Sequence, residues 1–219
     1  MKIVALIPIK LNSQRLPQKN ILPLADHPLC WHICNTLNQV KNVNEVYVYC
    51  SDPKVQEYIP EGTLYLQRPS WLDGNLVKGN DIYREFIKTI DADIYILAHT
   101  TSPFIKVSSC QTALDHVLTG AYDSAFSAER IQTFAWHNGR PINYDLENVP
   151  RTQDLEPIWV ETSAFYIFKK EVFTVYNRRI GFHPFIQEVS GIEALDIDER
   201  KDYDMACMLS QNAKQENTK

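Results

Sequence analysis

A group of cations and hydrogen-bonding side chains follows directly after the first apolar segment of the chain. Residues 3–9 are almost entirely apolar, which indicates a buried strand, and residues 10–20 form a loop. Ligands of open α/β sheets bind at the carboxyl ends of strands, where cations and free backbone N–H groups suit a polyphosphate. The loop supplies three cations, a serine and two asparagines: Lys10, Arg15, Lys19, Ser13, Asn12 and Asn20.

A pair of aspartates lies near the other end of the chain. Asp196 and Asp198 are two positions apart in an apolar pattern over residues 192–198 that predicts a strand leading into a helix. Both carboxylates would then face one side, with Cβ atoms roughly 7 Å apart. Such a pair can hold one Mg²⁺, with phosphate oxygens of a substrate completing the shell. For Asp198 a structural role as the helix N-cap stays open. We expect the cationic loop and the aspartates to meet at one edge of the sheet.

Two common nucleotide-binding motifs are missing from the first loop. It lacks the Gly-Lys-Ser/Thr of a Walker A sequence, and it lacks the three glycines of a dinucleotide-binding turn. Neither of those site types is supported.

The elements that must position these residues alternate along the chain. Apolar periodicity predicts helices near residues 28–40, 82–90 and 110–118, with shorter ones at 53–58 and 170–178. Strands are predicted at 3–9, 45–50, 63–66, 93–98, 123–127 and 158–168, and residues 69–80 read as a loop. Alternating strands and helices indicate a parallel, doubly wound α/β sheet.

Residues 130–158 interrupt this alternation. Asn138-Gly139 is a hairpin signal between polar and aromatic segments, so we interpret this part as an excursion from the core. Residues 1–212, including this excursion, are predicted to form a single domain, and residues 213–219 are predicted to be a disordered tail.

Composition limits the classes of partner. The net charge of −5 gives no indication of nucleic acid or of an anionic membrane surface, so a polyanion site must be built locally. No segment reaches membrane-spanning length. Five scattered cysteines favour small buried side chains in a reduced protein, which we expect to be cytoplasmic.

The first loop also resembles a family signature. Ser13-x-Arg15-Leu16-Pro17-x-Lys19-Asn20 is similar to the nucleotide-binding sequence of the sugar-activating cytidylyltransferases, namely the acylneuraminate (CMP-sialic acid) and 3-deoxy-manno-octulosonate enzymes. Further segments resemble the same family in the same order along the chain: Arg68-Pro69, residues 97–103, residues 151–155, residues 164–167 and Asp196-Ile197-Asp198. The joint occurrence is far more specific than any single motif.

The resemblance implies a fold and a reaction. The fold is a Rossmann-like three-layer nucleotide-diphospho-sugar transferase fold of the α/β class, with a mostly parallel sheet and a protruding excursion that makes a homodimer. The reaction joins CTP to a keto-deoxy sugar acid for a surface glycan, with Mg²⁺ as cofactor. Its chemistry is mainly in-line positioning and neutralisation of phosphate charge.

The resemblance also implies roles for individual residues. Catalytic roles fall to Lys10, Arg15, Lys19 and Asp196, and the metal ligands are Asp196 and Asp198. Nucleotide contacts are expected from Lys10, Leu11, Asn12, Ser13, Arg15, Lys19, Asn20, Arg68, Thr101 and Ser102. Sugar contacts are expected from His99, Arg151, Gln153, Glu161 and Thr162.

Structural alternatives remain open for three of these residues. Arg68 could brace the loop or be an ordinary surface arginine, and Arg151 could form a salt bridge within the hairpin. His99 replaces a family glutamine; it could recognise the sugar, act as a base, or be a hydrogen-bonded structural histidine.

Departures from the family leave the function open at two points. Thr162-Ser163 stand in place of Asn-Gly, which alters the sugar pocket, and Ser13-x-Arg15-Leu16-Pro17 leans toward the octulosonate enzymes. The acceptor could therefore be an octulosonate or another acidic sugar, or the nucleotide could differ. A nucleotide-sensing or scaffolding homologue without turnover is the alternative from another class.

Overall fold

The computed structural model describes the backbone of residues 1–216 and the side chains of residues 1–212. The strands are β1 Ile3–Pro8, β2 Pro23–Leu24, β3 His27–Pro28, β4 Glu45–Cys50, β5 Thr63–Gln67, β6 Ile94–Ala98, β7 Ser124–Ile131, β8 Trp136–His137, β9 Arg140–Pro141, β10 Ile158–Lys169 and β11 Pro184–Glu188. The α-helices are α1 Leu29–Asn38, α2 Gly79–Thr89, α3 Val107–Leu118, α4 Lys170–Thr174 and α5 Arg200–Glu216. Short 3-10 helices occupy Lys19–Ile21, Pro53–Tyr58, Ser70–Asp73, Thr152–Asp154 and Gly191–Ala194.

Seven strands form the central sheet in the order β11-β7-β10-β6-β1-β4-β5. β1 pairs in parallel with both β4 and β6, β4 pairs in parallel with β5, and β11 pairs in parallel with β7. Only β10, among these seven strands, runs antiparallel to its neighbours β6 and β7. The predicted α/β class with a mostly parallel sheet is confirmed.

Both faces of the sheet are buried, which explains why β1 reads as a continuous apolar run. Ala5 and Ile7 pack on one face against a cluster that includes Ile33 of α1 and Leu114 of α3. Leu6 points to the other face, where the cluster includes residues of α2 and α4 such as Phe86 and Phe173. The sheet is thus the middle of three layers, and its strand ends are left for a site.

The predicted strand over residues 192–198 is wrong. Gly191–Ala194 form a 3-10 helix, and the residues from Leu195 to Asp198 are irregular. Ile197 is fully buried beside Leu16 and Tyr203, and its amide donates to the Thr101 carbonyl at 2.8 Å. The apolar residues of this segment thus reflect packing against a small satellite core, which sequence periodicity does not distinguish from strand pairing.

Two other elements differ from the prediction. β11 was not predicted, because it is a half-buried edge strand without clear alternation. The segment 69–80 is not wholly a loop, since it contains the 3-10 helix Ser70–Asp73 and the start of α2.

The excursion contains the predicted hairpin. β8 and β9 pair antiparallel across Asn138 and Gly139, whose positive φ values of 50° and 74° suit a tight hairpin turn. At the other end of the chain, α5 continues to Glu216 and so enters the segment predicted to be disordered, of which residues 217–219 lie outside the described residues. Within the described part, none of the helices combines the length and the apolar character needed to cross a membrane.

Candidate active site

The loop after β1 is tied to the end of β6 by one asparagine. The Asn20 side chain donates from Nδ2 to the Lys10 carbonyl at 2.7 Å and accepts at Oδ1 from the Thr100 hydroxyl at 2.5 Å. Thr100 follows β6, the neighbour of β1 in the sheet. Because Asn20 is only 6% exposed, these bonds fix both ends of the loop against the carboxyl edge of the sheet.

Two cations of the loop converge on Asp198. Arg15 donates both terminal nitrogens to the two oxygens of Asp198 at 2.8 Å each. Lys19 is nearly buried, and its Nζ lies 2.7 Å from the Ile197 carbonyl and 3.2 Å from Asp198 Oδ1. The expected meeting of the loop with the aspartate pair, across almost the whole sequence, is confirmed.

The pKa values of the two aspartates are shifted in opposite directions. Burial alone raises the pKa of Asp198, but the hydrogen bonds and charges of Lys19 and Arg15 outweigh burial, and the pKa is lowered. The pKa of Asp196 is raised, mainly by burial and to a smaller extent by the charge of Asp198, although a hydrogen bond from Thr101 lowers it. Asp196 Oδ1 is buried and has no hydrogen-bond partner within the described residues. The N-cap role left open for Asp198 is not supported, because both of its oxygens accept from Arg15 and Lys19. Asp202, in the first turn of α5, accepts from the amides of Asp198 and Glu199.

Lys10 is held from the opposite side of the loop. Its Nζ donates to the Asp73 carbonyl, and the Asp73 carboxylate accepts from Arg68 at 2.5 Å. Arg68 is only 2% exposed, so it is not a surface arginine. The geometry fits the loop-bracing alternative for Arg68, since it anchors the 3-10 helix whose carbonyl fixes Lys10.

Five of the ten predicted nucleotide residues line one cavity of about 260 Å³, and the other five, Leu11, Asn20, Arg68, Thr101 and Ser102, do not. Its lining residues are Lys10, Asn12, Ser13, Gln14, Arg15, Leu16, Lys19, Asn75 and Asp198. Leu11 packs partly buried against the main core beneath the loop. The Thr101 carbonyl accepts from the amide of Ile197, between the two aspartates, and the Ser102 hydroxyl is buried without a partner in the described part of the chain.

Three of the predicted sugar residues cluster around a β-bulge in β10. The pairing register of β10 with β7 shifts between Glu161 and Tyr166, and Ser163 adopts a left-handed φ of 58°. This strained turn directs the Ser163 carbonyl to 2.5 Å from Nδ1 of His99. The Thr162 hydroxyl points the other way and donates to Ser127 at 2.8 Å, so it braces the bulge.

The contact with Ser163 orients the His99 ring. A carbonyl oxygen only accepts, so Nδ1 carries a proton, and in the neutral form, which the lowered pKa favours, Nε2 presents a lone pair. Burial lowers the His99 pKa, as do the charges of Arg179 and Lys19, against the raising effects of the Ser163 carbonyl and Asp196. The ring lies edge-on to Tyr166, with centroids 6.4 Å apart.

Arg151 and Gln153 lie apart from this cluster in the described chain. Arg151 forms a bidentate pair with Asp154, with distances of 2.7 and 3.0 Å, and its side chain is 73% exposed. Gln153 is exposed, and its carbonyl accepts from Gln132. The geometry matches the salt-bridge alternative for Arg151, as a local pair between residues three positions apart in the excursion.

Three residues of the site were not found from the sequence. Asp73 holds Lys10 and Arg68, Arg179 stacks on Tyr166, and the Arg179 charge acts on the pKa of Tyr83. Neither Tyr83 nor Arg179 stands in a motif.

The residues fit a magnesium ion that a nucleotide would share. No group of three His, Cys, Asp or Glu side chains within the described residues is arranged to hold a metal alone. Mg²⁺, however, commonly takes one or two carboxylates and completes its shell with water and substrate phosphates. The unpartnered Asp196 Oδ1 suits such a ligand. Both Asp198 oxygens are already taken by Arg15 and Lys19.

The protein has a three-layer α/β fold, with a cationic loop after the first strand that faces two aspartates at the same edge of the sheet. This arrangement is typical of an α/β nucleotidyltransferase. The chain belongs to the cytidylyltransferase family, whose model matches residues 4–219. Among relatives, a 3-deoxy-manno-octulosonate cytidylyltransferase from Escherichia coli is 30% identical over 192 residues, covering 81% of this chain and 76% of the relative. An N-acylneuraminate cytidylyltransferase from Streptococcus agalactiae is 22% identical over 214 residues, 93% of this chain. The chain spans about half the length of that relative, 52%.

Solved structures share the fold. A CMP:2-keto-3-deoxy-manno-octonic acid synthetase complexed with CTP superposes with a TM-score of 0.73 at 20% identity, covering 97% of this chain and 100% of that one. A 2-C-methyl-D-erythritol 4-phosphate cytidylyltransferase from Thermus thermophilus gives a TM-score of 0.61 at 15% identity, covering 96% and 100%.

Proposed function

We propose that this protein transfers the cytidylyl group of CTP to a keto-deoxy sugar acid. The observation that carries the proposal is the convergence of Lys10, Arg15 and Lys19 with Asp196 and Asp198 at one sheet edge, in a chain of the cytidylyltransferase family. The anomeric hydroxyl oxygen attacks the α-phosphorus, the bond from that phosphorus to the bridging oxygen breaks, and pyrophosphate leaves. The hydroxyl proton passes to a base or to water.

The loop neutralises the phosphates. A triphosphate carries about four negative charges, so positioned cations that meet charge developing on the leaving pyrophosphate lower the barrier. Arg15 is 64% exposed and can turn from Asp198 to the triphosphate, whereas Lys19 is 11% exposed and stays at the base of the cavity. Ser13, Asn12 and the loop amides supply hydrogen bonds to phosphate oxygens.

Two other residues of the predicted nucleotide set, Asn20 and Arg68, act indirectly by holding Lys10 in place. Asn20 holds the Lys10 backbone, and Arg68 acts through Asp73 on the Lys10 side chain. We propose magnesium as the cofactor, held by Asp196 and by Asp198 once Arg15 turns to phosphate; when bound it would polarise phosphate oxygens and neutralise their charge.

The acceptor is proposed to be a nonulosonate of the sialic acid type, used for a surface glycan; an octulosonate is the second candidate. The E. coli octulosonate relative is the more identical of the two described, which favours testing both acceptors. His99 and Glu161 lie in the cluster next to Asp196 and are proposed to contact the sugar.

The excursion is proposed to form a homodimer and to bring Arg151 and Gln153 to the partner's site. It exposes large apolar side chains, including Trp136 and Leu146, which suit an interface core. Analytical ultracentrifugation tests this directly, and a monomer at assay concentrations would contradict it. All five cysteines are free thiols, four of them buried, which supports the proposed cytoplasmic location.

Pyrophosphate release tests the function. Purified protein is incubated with Mg²⁺, each of the four nucleoside triphosphates, and either N-acetylneuraminate, 3-deoxy-manno-octulosonate or a neutral sugar. We expect release with CTP and an acidic sugar only. CTP binding without release for any acceptor would instead support a sensing homologue that has lost turnover.

A further inference from the structure

A guanidinium that belongs to none of the sequence motifs lies beside the proposed sugar pocket. Arg179, between α4 and β11, has its Cζ atom 3.9 Å from the centre of the Tyr166 ring. It also acts on the Tyr83 hydroxyl, whose pKa it lowers against the larger raising effect of burial. Stacking on the Tyr166 ring restricts the plane of the guanidinium.

The same guanidinium lies close to His99. Both side chains contact the Tyr166 ring, since the Arg179 Cζ atom is 3.9 Å and the His99 ring centre 6.4 Å from the centre of that ring. The Arg179 charge lowers the pKa of His99, second to burial among the lowering causes, and the charges of Asp196 and Lys19 act on the same imidazole. A sugar bound at His99 would therefore have Arg179 within reach of its C1 carboxylate.

Arg179 is available for an anion. It forms an ion pair with Glu161 at a nitrogen–oxygen distance of 3.7 Å, which is too long for a hydrogen bond. Glu161 Oε2 instead accepts from the Tyr166 hydroxyl at 2.7 Å. The Arg179 side chain is 34% exposed, so donors on its open side are reachable.

Arg151 shows the opposite state within the same chain. Both oxygens of Asp154 accept from it, at 2.7 and 3.0 Å. A sugar carboxylate would have to displace that bidentate partner, whereas at Arg179 it would compete with a single ion pair that is not hydrogen-bonded.

The loop that carries Arg179 is itself fixed. The Asp123 carboxylate accepts from the amides of Phe182 at 2.7 Å and His183 at 3.2 Å, and the Gly181 amide donates to the Ser124 hydroxyl at 2.8 Å. Arg179 thus reaches the pocket from a pinned turn, which limits the entropy lost when it binds a ligand.

We propose that Arg179 binds the carboxylate of the acceptor sugar and so determines the preference for an acidic sugar. This inference rests on the proposed cytidylyl transfer. The planar fork of an arginine matches both oxygens of a carboxylate, and a guanidinium stacked on Tyr166 is already in position for that geometry.

The test compares an acid with its neutral analogue. Steady-state kinetics are measured with CTP and whichever of N-acetylneuraminate and 3-deoxy-manno-octulosonate the wild type uses, and with the C1 carboxamide of that sugar. For Arg179→Gln we expect the KM for the acid to rise roughly 10- to 100-fold, as for loss of hydrogen bonds to a charged group, with the KM for CTP unchanged. The preference for acid over carboxamide should collapse.

Matched variants separate this role from a structural one. Arg178 is the adjacent arginine, stacks 4.7 Å over Phe182 and donates to the Gly181 carbonyl at 3.2 Å, so Arg178→Gln disturbs the same loop without removing the Arg179 guanidinium. It should keep the preference for acid over carboxamide and change the KM for the acid less than Arg179→Gln does. Arg179→Lys keeps the charge without the fork and should retain part of the preference, which also serves if Arg179→Gln folds poorly.

Two results overturn the inference. An unchanged acid preference in Arg179→Gln, or loss of that preference in Arg151→Gln instead, would place the carboxylate elsewhere while leaving cytidylyl transfer intact. Failure of the wild type with every sugar acid would overturn the proposed function itself, and it would be seen before any variant is made.

Discussion

The two halves of the proposed site are held in place by different forces. The proposed nucleotide half, which contains Lys10, Arg15 and Lys19, is fixed by charge: Arg15 and Lys19 bind Asp198, far away in the sequence, and Lys10 binds Asp73. The proposed acceptor half, around His99, is fixed mainly by aromatic rings and by the left-handed backbone of Ser163, whose carbonyl contacts His99.

This difference matters because the two ligands differ in charge. A triphosphate brings several negative charges, which paired cations can accept by exchanging partners. A sugar acid brings one charge and many hydroxyls, so a single guanidinium among oriented hydrogen-bonding groups is sufficient. The comparison predicts that the halves can be damaged separately.

The largest expected effect falls where the halves meet. Asp196→Asn keeps the volume but removes the charge of the carboxylate with the unpartnered oxygen. We expect kcat to fall about 10²- to 10³-fold, as for loss of an electrostatic group in the transition state. Single-turnover rates measure this, with a circular dichroism melt as control. Near-wild-type turnover would show that Asp196 does not take part in the chemistry.

A smaller effect, on the sugar acid but not on CTP, is expected for a substitution of Gly181. A Cβ atom there would lie 2.2 Å from Asp123 Oδ1, so alanine must push the carboxylate from its amides or move the loop that carries Arg179. Gly181→Ala should raise the KM for the sugar acid about tenfold, corresponding to roughly 1.4 kcal/mol. The affinity for CTP, measured by calorimetry, should not change.

The matched control for Gly181 is the same substitution in an Asp123→Ala background. There the clash is absent, so the added cost of Gly181→Ala should largely disappear. An equal cost in both backgrounds would mean that the close approach to Asp123 is not its cause.

The smallest effect concerns acid stability. Burial raises the pKa of Asp123, but hydrogen bonds from the Phe182 amide, Ser124 and the His183 amide prevail, and the pKa is lowered. A carboxylate with a lowered folded-state pKa stabilises the fold above its unfolded pKa of about 3.9, and that stability is lost as the pH falls through the folded value. Asp123→Asn should therefore cost about 1 kcal/mol at neutral pH and progressively less below about pH 4.

Urea titrations across that pH range measure the difference in unfolding free energy. A gap between wild type and Asp123→Asn that stays constant down to the lowest pH would contradict the assigned bonding of Asp123.

The sequence predicts the nucleotide half well for a physical reason. Its residues lie in short loops directly after strands, and the order of strands in a parallel sheet brings those loops together. Lys10, Arg15 and Lys19 could therefore be placed near Asp196 without coordinates. The wrong prediction of a strand at 192–198 did not affect this placement, because the Ile197 amide still donates to the Thr101 carbonyl, after β6.

The acceptor half was only partly accessible to the sequence. His99 stands in a motif and Glu161 directly precedes one, but Arg179 is brought to them by the antiparallel return of β10 and the turn before β11, an edge strand that periodicity did not indicate. Which arginine faces Tyr166 depends on the loop geometry, and no local pattern encodes it.

The most direct test of the central claim is a phosphorus-31 NMR spectrum of the protein with Mg²⁺, CTP and the accepted sugar acid. Transfer across the meeting point of the two halves predicts one new phosphodiester signal, coupled to the sugar, that grows in equal amount with pyrophosphate. Free CMP or CDP without a phosphodiester, or an unchanged CTP spectrum, would contradict it.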